Sequence, residues 1–120
     1  MRSLTSHKVN GLNEELDILV LDPTGSGGAH HVYEISSEDD TEAYCKINFQ
    51  NGPVGEVGIN GISNESLLAV VEDRLQCFQS GPFACRENAV ALTKLQECLM
   101  WLQKRTRDRV TRGVEGTSQK

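Results

Sequence analysis

The sequence predicts an α+β protein in which a small N-terminal antiparallel sheet precedes a C-terminal antiparallel helical hairpin that forms an oligomer. Two changes along the chain predict these parts: short apolar runs between turn-rich segments up to about residue 57, and apolar residues at three- and four-residue steps from residue 63. The parts divide into an N-terminal β region, residues 1–62, and a helical hairpin, residues 63–120. The length of 120 residues favours one compact unit.

Three apolar runs predict the strands of the sheet, at Ile18–Leu21, Val32–Ile35 and Ala43–Phe49. The segments that follow them are rich in the residue types that turns require, at positions 22–28, 36–40 and 50–53. Short strands joined by such segments indicate an antiparallel arrangement.

The first helix is predicted by apolar residues at helical spacing, namely Leu67, Leu68, Val71, Leu75 and Phe78. Ser63 or Asn64 can cap its N-terminus, and the helix should stop near Gly81 and Pro82. A second helix is predicted within residues 83–112, with apolar positions at Ala89, Leu92, Leu95, Leu99 and Leu102 and a terminator at Gly113.

The two helices differ in length, and this difference predicts an uncovered surface. A first helix of about 16 residues spans ~24 Å and a second of about 27 residues spans ~40 Å. The overhang contains Trp101, Leu102 and a cluster of bases, so either the sheet or another subunit covers it. We favour another subunit, and therefore a homo-oligomer.

Charge is unevenly distributed along a chain whose net charge is −5. Residues 1–60 hold ten acidic and three basic residues, whereas residues 61–120 hold seven and nine. The segment 104–112 contains five bases, Lys104, Arg105, Arg107, Arg109 and Arg112. This segment is either a solvated helix end or a contact for a small anion. An acidic chain disfavours a nucleic acid polymer as partner.

Other sequence features predict no metal site, no cofactor and no catalytic site. The four cysteines lack zinc-ligand spacing and are expected to be reduced and mostly buried: Cys45, Cys77, Cys85 and Cys98. On a strand, His30 and His31 would point to opposite faces. The loop Thr24–Gly28 lacks the Lys-Ser/Thr of a phosphate-binding loop, so we expect a flexible connection there. With no catalytic constellation, we expect no enzyme.

No apolar run is long enough for a membrane span, and the start of the chain has no apolar stretch behind its basic residues. The sequence therefore predicts neither a membrane partner nor a secretory signal.

The segment between the two helices contains the strongest candidates for a binding site. Phe78 and Phe83 bracket the bend and could stack on a base, and Asn88 offers both a donor and an acceptor. A packed turn with Asn88 as a local cap is the alternative. Arg105 lies 17 residues beyond Asn88, or about 25 Å along a continuous helix. One nucleotide cannot touch both residues within one chain.

Several motifs carry a resemblance to a known family. They include Phe49-Gln50-Asn51-Gly52-Pro53, Gly58-Ile59-Asn60-Gly61-Ile62, Gly81-Pro82-Phe83-Ala84-Cys85-Arg86-Glu87-Asn88-Ala89 and Arg112-Gly113-Val114-Glu115-Gly116-Thr117. With them the chain resembles the phage anti-Thoeris signal-sequestering proteins of the first type. Its C-terminal part resembles the helical hairpin domain that those proteins share with phage anti-CBASS cyclic-nucleotide sponges.

The resemblance implies a non-catalytic sponge in the host bacterial cytoplasm that binds glycocyclic ADP-ribose made by TIR-domain enzymes. It also implies a homo-oligomer, often a hexamer, and leaves open separate sites for cyclic trinucleotides. By position in the motifs, Phe78, Asn88 and Arg105 correspond to the signal-binding aromatic, amide and guanidinium, and Arg109 is a weaker candidate. The alternative is an oligomerising helical-hairpin module with no nucleotide ligand.

Overall fold

The computed structural model describes residues 2–37 and 43–120, and it divides the chain into two compact units, Met1–Ile62 and Ser63–Lys120. The single compact unit favoured by the chain length stays a prediction. Sheet and helices together confirm the predicted α+β class.

The N-terminal unit contains a sheet in which the described strands are all antiparallel and follow one another in chain order. These strands are β1 (Arg2–Leu4), β2 (Leu16–Val20), β3 (Val32–Ser37) and β4 (Ala43–Asn48). The register pairs Ile18 with Ile35 across β2 and β3, so apolar side chains meet on one face. The predicted turn at residues 36–40 lies mostly outside the described residues.

This unit also contains short elements that the sequence did not predict. They are β1, helix α1 (Gly11–Glu15), a 3-10 turn (Ser26–Gly28) and helix α2 (Val54–Val57). After β4 the chain forms a loop closed by a parallel bridge between Phe49 and Ile62. Gln50 holds this loop together, because its amide donates to the Gly52 and Gly58 carbonyls at 3.1 and 2.8 Å. The loop is therefore a built element of the unit.

The C-terminal unit is the predicted helical hairpin, formed by α3 (Asn64–Gln79) and α4 (Arg86–Thr111). Ser63 caps α3, since its hydroxyl accepts the Ser66 backbone N–H at 3.0 Å. Gly113 follows the end of α4 with a φ of 73°, which is the left-handed conformation that favours glycine. At 16 and 26 residues the helices span ~24 and ~39 Å, so α4 overhangs as predicted.

Few large apolar side chains are buried within either unit. Among the described residues only Val20 in the first unit and Leu99 in the second are buried hydrophobic residues, at 3% and 8% exposure. Several large apolar side chains of α3 and α4 stay exposed, including Val70, Val90, Met100, Trp101 and Val110. So much exposed apolar surface on a hairpin is typical of an interaction surface. No described helix is long and apolar enough to cross a membrane.

Candidate functional site

The bend between α3 and α4 is fixed by side-chain hydrogen bonds on both sides. The Gln79 side-chain oxygen accepts the Cys85 backbone N–H at 3.0 Å, which joins the end of α3 to the start of α4. Cys85 is the N-cap of α4, because its Sγ accepts the Asn88 backbone N–H at 3.4 Å. The alternative interpretation of Asn88 as the local cap is therefore wrong, because Cys85 takes that position. The Asn88 side-chain amide is thereby free of a capping role.

The bend also carries an aromatic pair. The rings of Phe78 and Phe83 meet edge to face, with centroids 6.4 Å apart and planes inclined by 65°. The guanidinium of Arg74 lies over the Phe78 ring, 5.4 Å from its centroid. Phe78 is 37% exposed and Phe83 is 72% exposed, so aromatic surface is available to a ligand. The bend thus places stacking surface at the end of the hairpin where Asn88 lies in the first turn of α4.

The opposite end of the hairpin has a basic cavity of about 450 Å³. Its walls are formed by Trp101, Lys104, Arg105, Asp108, Arg109, Arg112 and Lys120. Lys104 forms an ion pair with Asp108 at 2.7 Å. Among the described residues no carboxylate pairs with Arg105, Arg112 or Lys120. Three unpaired cations beside an exposed indole form a surface suited to an anionic, aromatic ligand.

Arg109 behaves differently from its basic neighbours, because it is only 6% exposed. Its guanidinium donates to the carbonyls of Val114, Thr117 and Gln119, and its Nε lies 3.5 Å from a carboxylate oxygen of Glu115. These partners all belong to the C-terminal tail, residues 113–120. Within one chain Arg109 therefore anchors the tail against α4.

The structure separates the predicted site residues into two groups. Phe78 and Asn88 lie at the bend, whereas Arg105 and Arg109 lie at the basic end of α4. Helix α4 is continuous from Arg86 to Thr111, so the ~25 Å between Asn88 and Arg105 is a real separation. Within one chain the two groups do not form one pocket.

In the N-terminal unit a second group of polar residues has a structural role. The Asp22 carboxylate accepts the backbone N–H groups of His31 and Val32 at 2.9 and 3.0 Å. Although burial alone would raise the pKa of Asp22, these hydrogen bonds and the nearby His30 outweigh it, and the pKa is lowered. The Asp22 carboxylate therefore stays charged and fixes the start of β3.

The two histidines precede β3 instead of lying on a strand, so the predicted alternation of faces does not apply to them. The ring nitrogen Nδ1 of His30 lies 2.6 Å from the Asp22 carbonyl oxygen. Nε2 of His31 lies 3.1 Å from the Ser26 carbonyl oxygen, and His31 is buried. Both rings thus pack onto the turn after β2.

The glycine-rich loop is closed by internal hydrogen bonds, and its flexibility stays a prediction. The backbone N–H of Gly25 donates to the Ala29 carbonyl, and that of Gly28 donates to the Gly25 carbonyl. A side chain at Gly25 would come within 3.1 Å of the His31 ring. The N–H groups of Gly25 and Gly28 are therefore engaged within the loop and are not free to bind a phosphate.

The cysteines also depart from the prediction, since all four are exposed: Cys45, Cys77, Cys85 and Cys98. They lie on an edge strand, on helix surfaces and at a cap, where no apolar layer covers them. In the described part of the chain no three His, Cys, Asp or Glu side chains are grouped as a metal site.

Sequence reasoning missed two residues that surround the candidate groups, Arg74 and Lys120, and it placed Trp101 in the overhang without assigning it to a site. Arg74 precedes Phe78 by four residues, a spacing that places both side chains on one helix face, so the sequence held this signal. Lys120 had no such signal, because only the fold of the tail brings it to the basic cavity.

Known proteins are similar to this chain over a segment that includes the bend of the hairpin. Residues 41–107 match the family model described as the Acb2/Tad1 hairpin domain. The protein Thoeris anti-defense 1 of Bacillus phage SBSphiJ7 is 52% identical over 96 residues. The aligned region comprises 80% of this chain and 66% of that relative. The matched segment includes the whole bend with Phe78 and Asn88, and it includes Arg105.

Proposed function

The chain belongs to the Acb2/Tad1 hairpin family, and on that premise we propose that it is a phage counter-defence protein of the anti-Thoeris type. In this proposal it acts in the host bacterial cytoplasm. There it binds glycocyclic ADP-ribose, the signal of Thoeris immunity, and holds it without degrading it. Cyclic trinucleotides are a second ligand class to be tested. Sequestration needs tight binding and no transition-state preference, so it requires no catalytic residues.

One observation carries the proposal: the hairpin presents aromatic and amide groups at its bend, and at its far end it presents cations that form no ion pair with any described residue. A dinucleotide-like ligand needs both kinds of group. A purine can stack on Phe78, the Asn88 amide can bond a base edge or a ribose hydroxyl, and Arg105 can hold the pyrophosphate through a charge-assisted fork. The two groups are ~25 Å apart along α4, so we propose a pocket shared between chains.

Assembly of several copies would supply such a pocket. If α4 of one chain lies antiparallel to α4 of another, the bend of the first meets the basic end of the second. The exposed Trp101, Met100 and Val110 on α4 support an interface along this helix. We propose a homo-oligomer, with a hexamer as the expected state.

In this proposal Arg109 has an indirect role, because it anchors the C-terminal tail. Its donors are engaged with tail carbonyls and with Glu115, so a direct contact with the ligand would require some of these bonds to be exchanged. We therefore assign the ligand-contacting role first to Phe78, Asn88 and Arg105. Arg109 supports the same surface by holding the tail beside it.

The test of the proposal is release without turnover. The protein is incubated with an excess of glycocyclic ADP-ribose, free ligand is measured, and the protein is then denatured by heat. We expect free ligand to fall in proportion to the protein and to return chemically unchanged on heating. Continued loss beyond the protein concentration, or recovery of a fragment, would contradict sequestration and indicate hydrolysis.

The shared pocket has its own test in a mixture of two variants. Asn88→Ala and Arg105→Ala should each weaken binding by about 10- to 150-fold, because a lost hydrogen bond to a charged group costs about 1.5–3 kcal/mol. After subunit exchange has been verified, the mixture should bind better than either variant alone, since some pockets receive both intact residues. A mixture no better than the weaker variant would place both residues in one chain.

The alternative function is assembly without a nucleotide ligand, and the exposed apolar face of α4 would serve it equally well. The two functions differ in ligand linkage. A sponge should melt at a higher temperature in the presence of the signal, whereas a pure assembly module should not respond.

A further inference from the structure

Arg74 contacts the aromatic ring that the proposed function uses for stacking. It lies one turn before Phe78 on α3, and its guanidinium carbon is 5.4 Å from the centre of the ring, over its face. Among the described residues no carboxylate forms an ion pair with Arg74. Its contact with the chain is therefore made with the ring, in cation–π geometry.

Two neighbouring side chains contact the Phe78 ring. Arg74 covers one face of the ring, and Phe83 meets Phe78 edge to face at a centroid distance of 6.4 Å. Phe78 nevertheless remains 37% exposed. A flat base needs a whole ring face for offset stacking, and Arg74 already lies over one face, so a base that stacks on Phe78 would use the opposite face.

We propose that Arg74 is a positioning residue for the signal and acts through Phe78. By covering one ring face it holds the ring in the orientation seen here and directs the base to the other face. A ring that is already fixed loses less conformational freedom when the ligand binds, which strengthens binding. The inference rests on the proposed function, since it concerns how that same site receives its nucleotide.

The position of Arg74 distinguishes this role from direct contact with phosphate. Its guanidinium and the stacked base lie on opposite sides of the Phe78 ring, so the ring separates Arg74 from the ligand. A direct ion pair with phosphate is screened by salt, so losing it would make the affinity less dependent on salt, whereas losing a contact made through the ring should leave that dependence nearly unchanged.

The experiment measures affinity for glycocyclic ADP-ribose at two salt concentrations in the full-length protein. It compares the wild type with Arg74→Ala, Arg74→Lys and a control, Lys94→Ala, which removes a charge from the middle of α4. We expect Arg74→Ala to weaken binding about two- to fivefold, the loss of an exposed cation–π contact, with a nearly unchanged dependence on salt. Arg74→Lys should lose less, and Lys94→Ala should bind like the wild type.

Three results would overturn the inference: wild-type affinity in Arg74→Ala, an equal loss in Lys94→Ala, or an affinity of Arg74→Ala that depends clearly less on salt than that of the wild type. A reduced dependence on salt would mean that Arg74 contacts the phosphate itself. If Arg74→Ala loses affinity because it unfolds, its far-ultraviolet circular dichroism will show the loss of helix. In that case Arg74→Lys carries the test, since it retains the cation and the stem.

A measurement on the free protein separates failure of this inference from failure of the proposed function. The δ-methylene protons of Arg74 should be shifted upfield by the Phe78 ring current, and Phe78→Leu should abolish the shift. Absence of the shift in the wild type overturns the role of Arg74 even if the signal binds. If the shift is present and the wild type binds no signal, the proposed function has failed and the positioning role fails with it.

Discussion

Replacing Arg109 with Ala should release the C-terminal tail from α4. Arg109 is 6% exposed and donates to three tail carbonyls, those of Val114, Thr117 and Gln119. A hydrogen bond to a charged group contributes about 1.5–3 kcal/mol. The sum of three such contributions is an upper bound on the free energy of tail docking that the substitution removes. The carbonyls regain water when the tail opens, so we expect tail docking to weaken by about 2–4 kcal/mol.

Amide hydrogen exchange measures this loss directly. The Thr117 backbone N–H donates to the Val114 carbonyl at 3.1 Å, and it exchanges when the tail opens. A loss of 2–4 kcal/mol corresponds to exchange about 30- to 900-fold faster. Arg109→Lys keeps the charge and loses the planar fork, so its exchange rate should lie between those of the wild type and Arg109→Ala.

The matched control is Arg112→Ala, which removes an exposed cation three residues further along the chain. Arg112 forms no ion pair among the described residues, so exchange at Thr117 should stay at the wild-type rate. Equal acceleration in Arg112→Ala would mean that the net charge of this end holds the tail. Unchanged exchange in Arg109→Ala would refute the anchoring role altogether.

Three further predictions concern the sheet, the loop and the assembly. The lowered pKa of Asp22 means that its contribution to stability is complete above pH about 4 and is lost as the pH falls through the folded-state pKa. The melting temperature should therefore fall less between pH 7 and pH 3 for Asp22→Asn than for the wild type. An equal fall in both proteins would contradict this. Gly61→Ala should destabilise the protein by about 1–3 kcal/mol in urea titrations, because its Cβ would lie 2.5 Å from the Phe49 carbonyl carbon. Gly11→Ala, which meets no atom within 4 Å, is its control and should be neutral or stabilising. The wild type should scatter light as an oligomer and Trp101→Glu as a smaller species, whereas a monomeric wild type would remove the shared pocket.

The long helices could be predicted because their signals are local. Ser63 caps α3, and Gly113 ends α4 in the left-handed conformation, both as the residue types indicate. Leu92, Leu95, Leu99 and Leu102 recur at helical spacing, and all four are among the less exposed positions of α4. In contrast, β1 has three residues and α2 has four, which is too short for a period to be recognised.

The candidate site could be predicted in part, for the same reason. The aromatic pair and Asn88 are close in the chain, so their proximity at the bend follows from the hairpin. Arg74 was missed although its spacing to Phe78 is a local signal. The basic cavity depends on the tail folding back, which no local pattern encodes.

Arg109 shows most clearly where sequence and tertiary structure divide. By itself the sequence predicted a helix within residues 83–112, and the structure gives α4 as Arg86–Thr111. Thr106 and Arg109 continue the spacing of its less exposed positions. The residue type predicts a solvated or ligand-binding charge. Only the tertiary structure decided that this charge is buried, because the carbonyls of the returning tail replace the hydrogen bonds of water. Burial of a charge depends on partners supplied by the folded chain, and neither helix propensity nor apolar spacing specifies those partners.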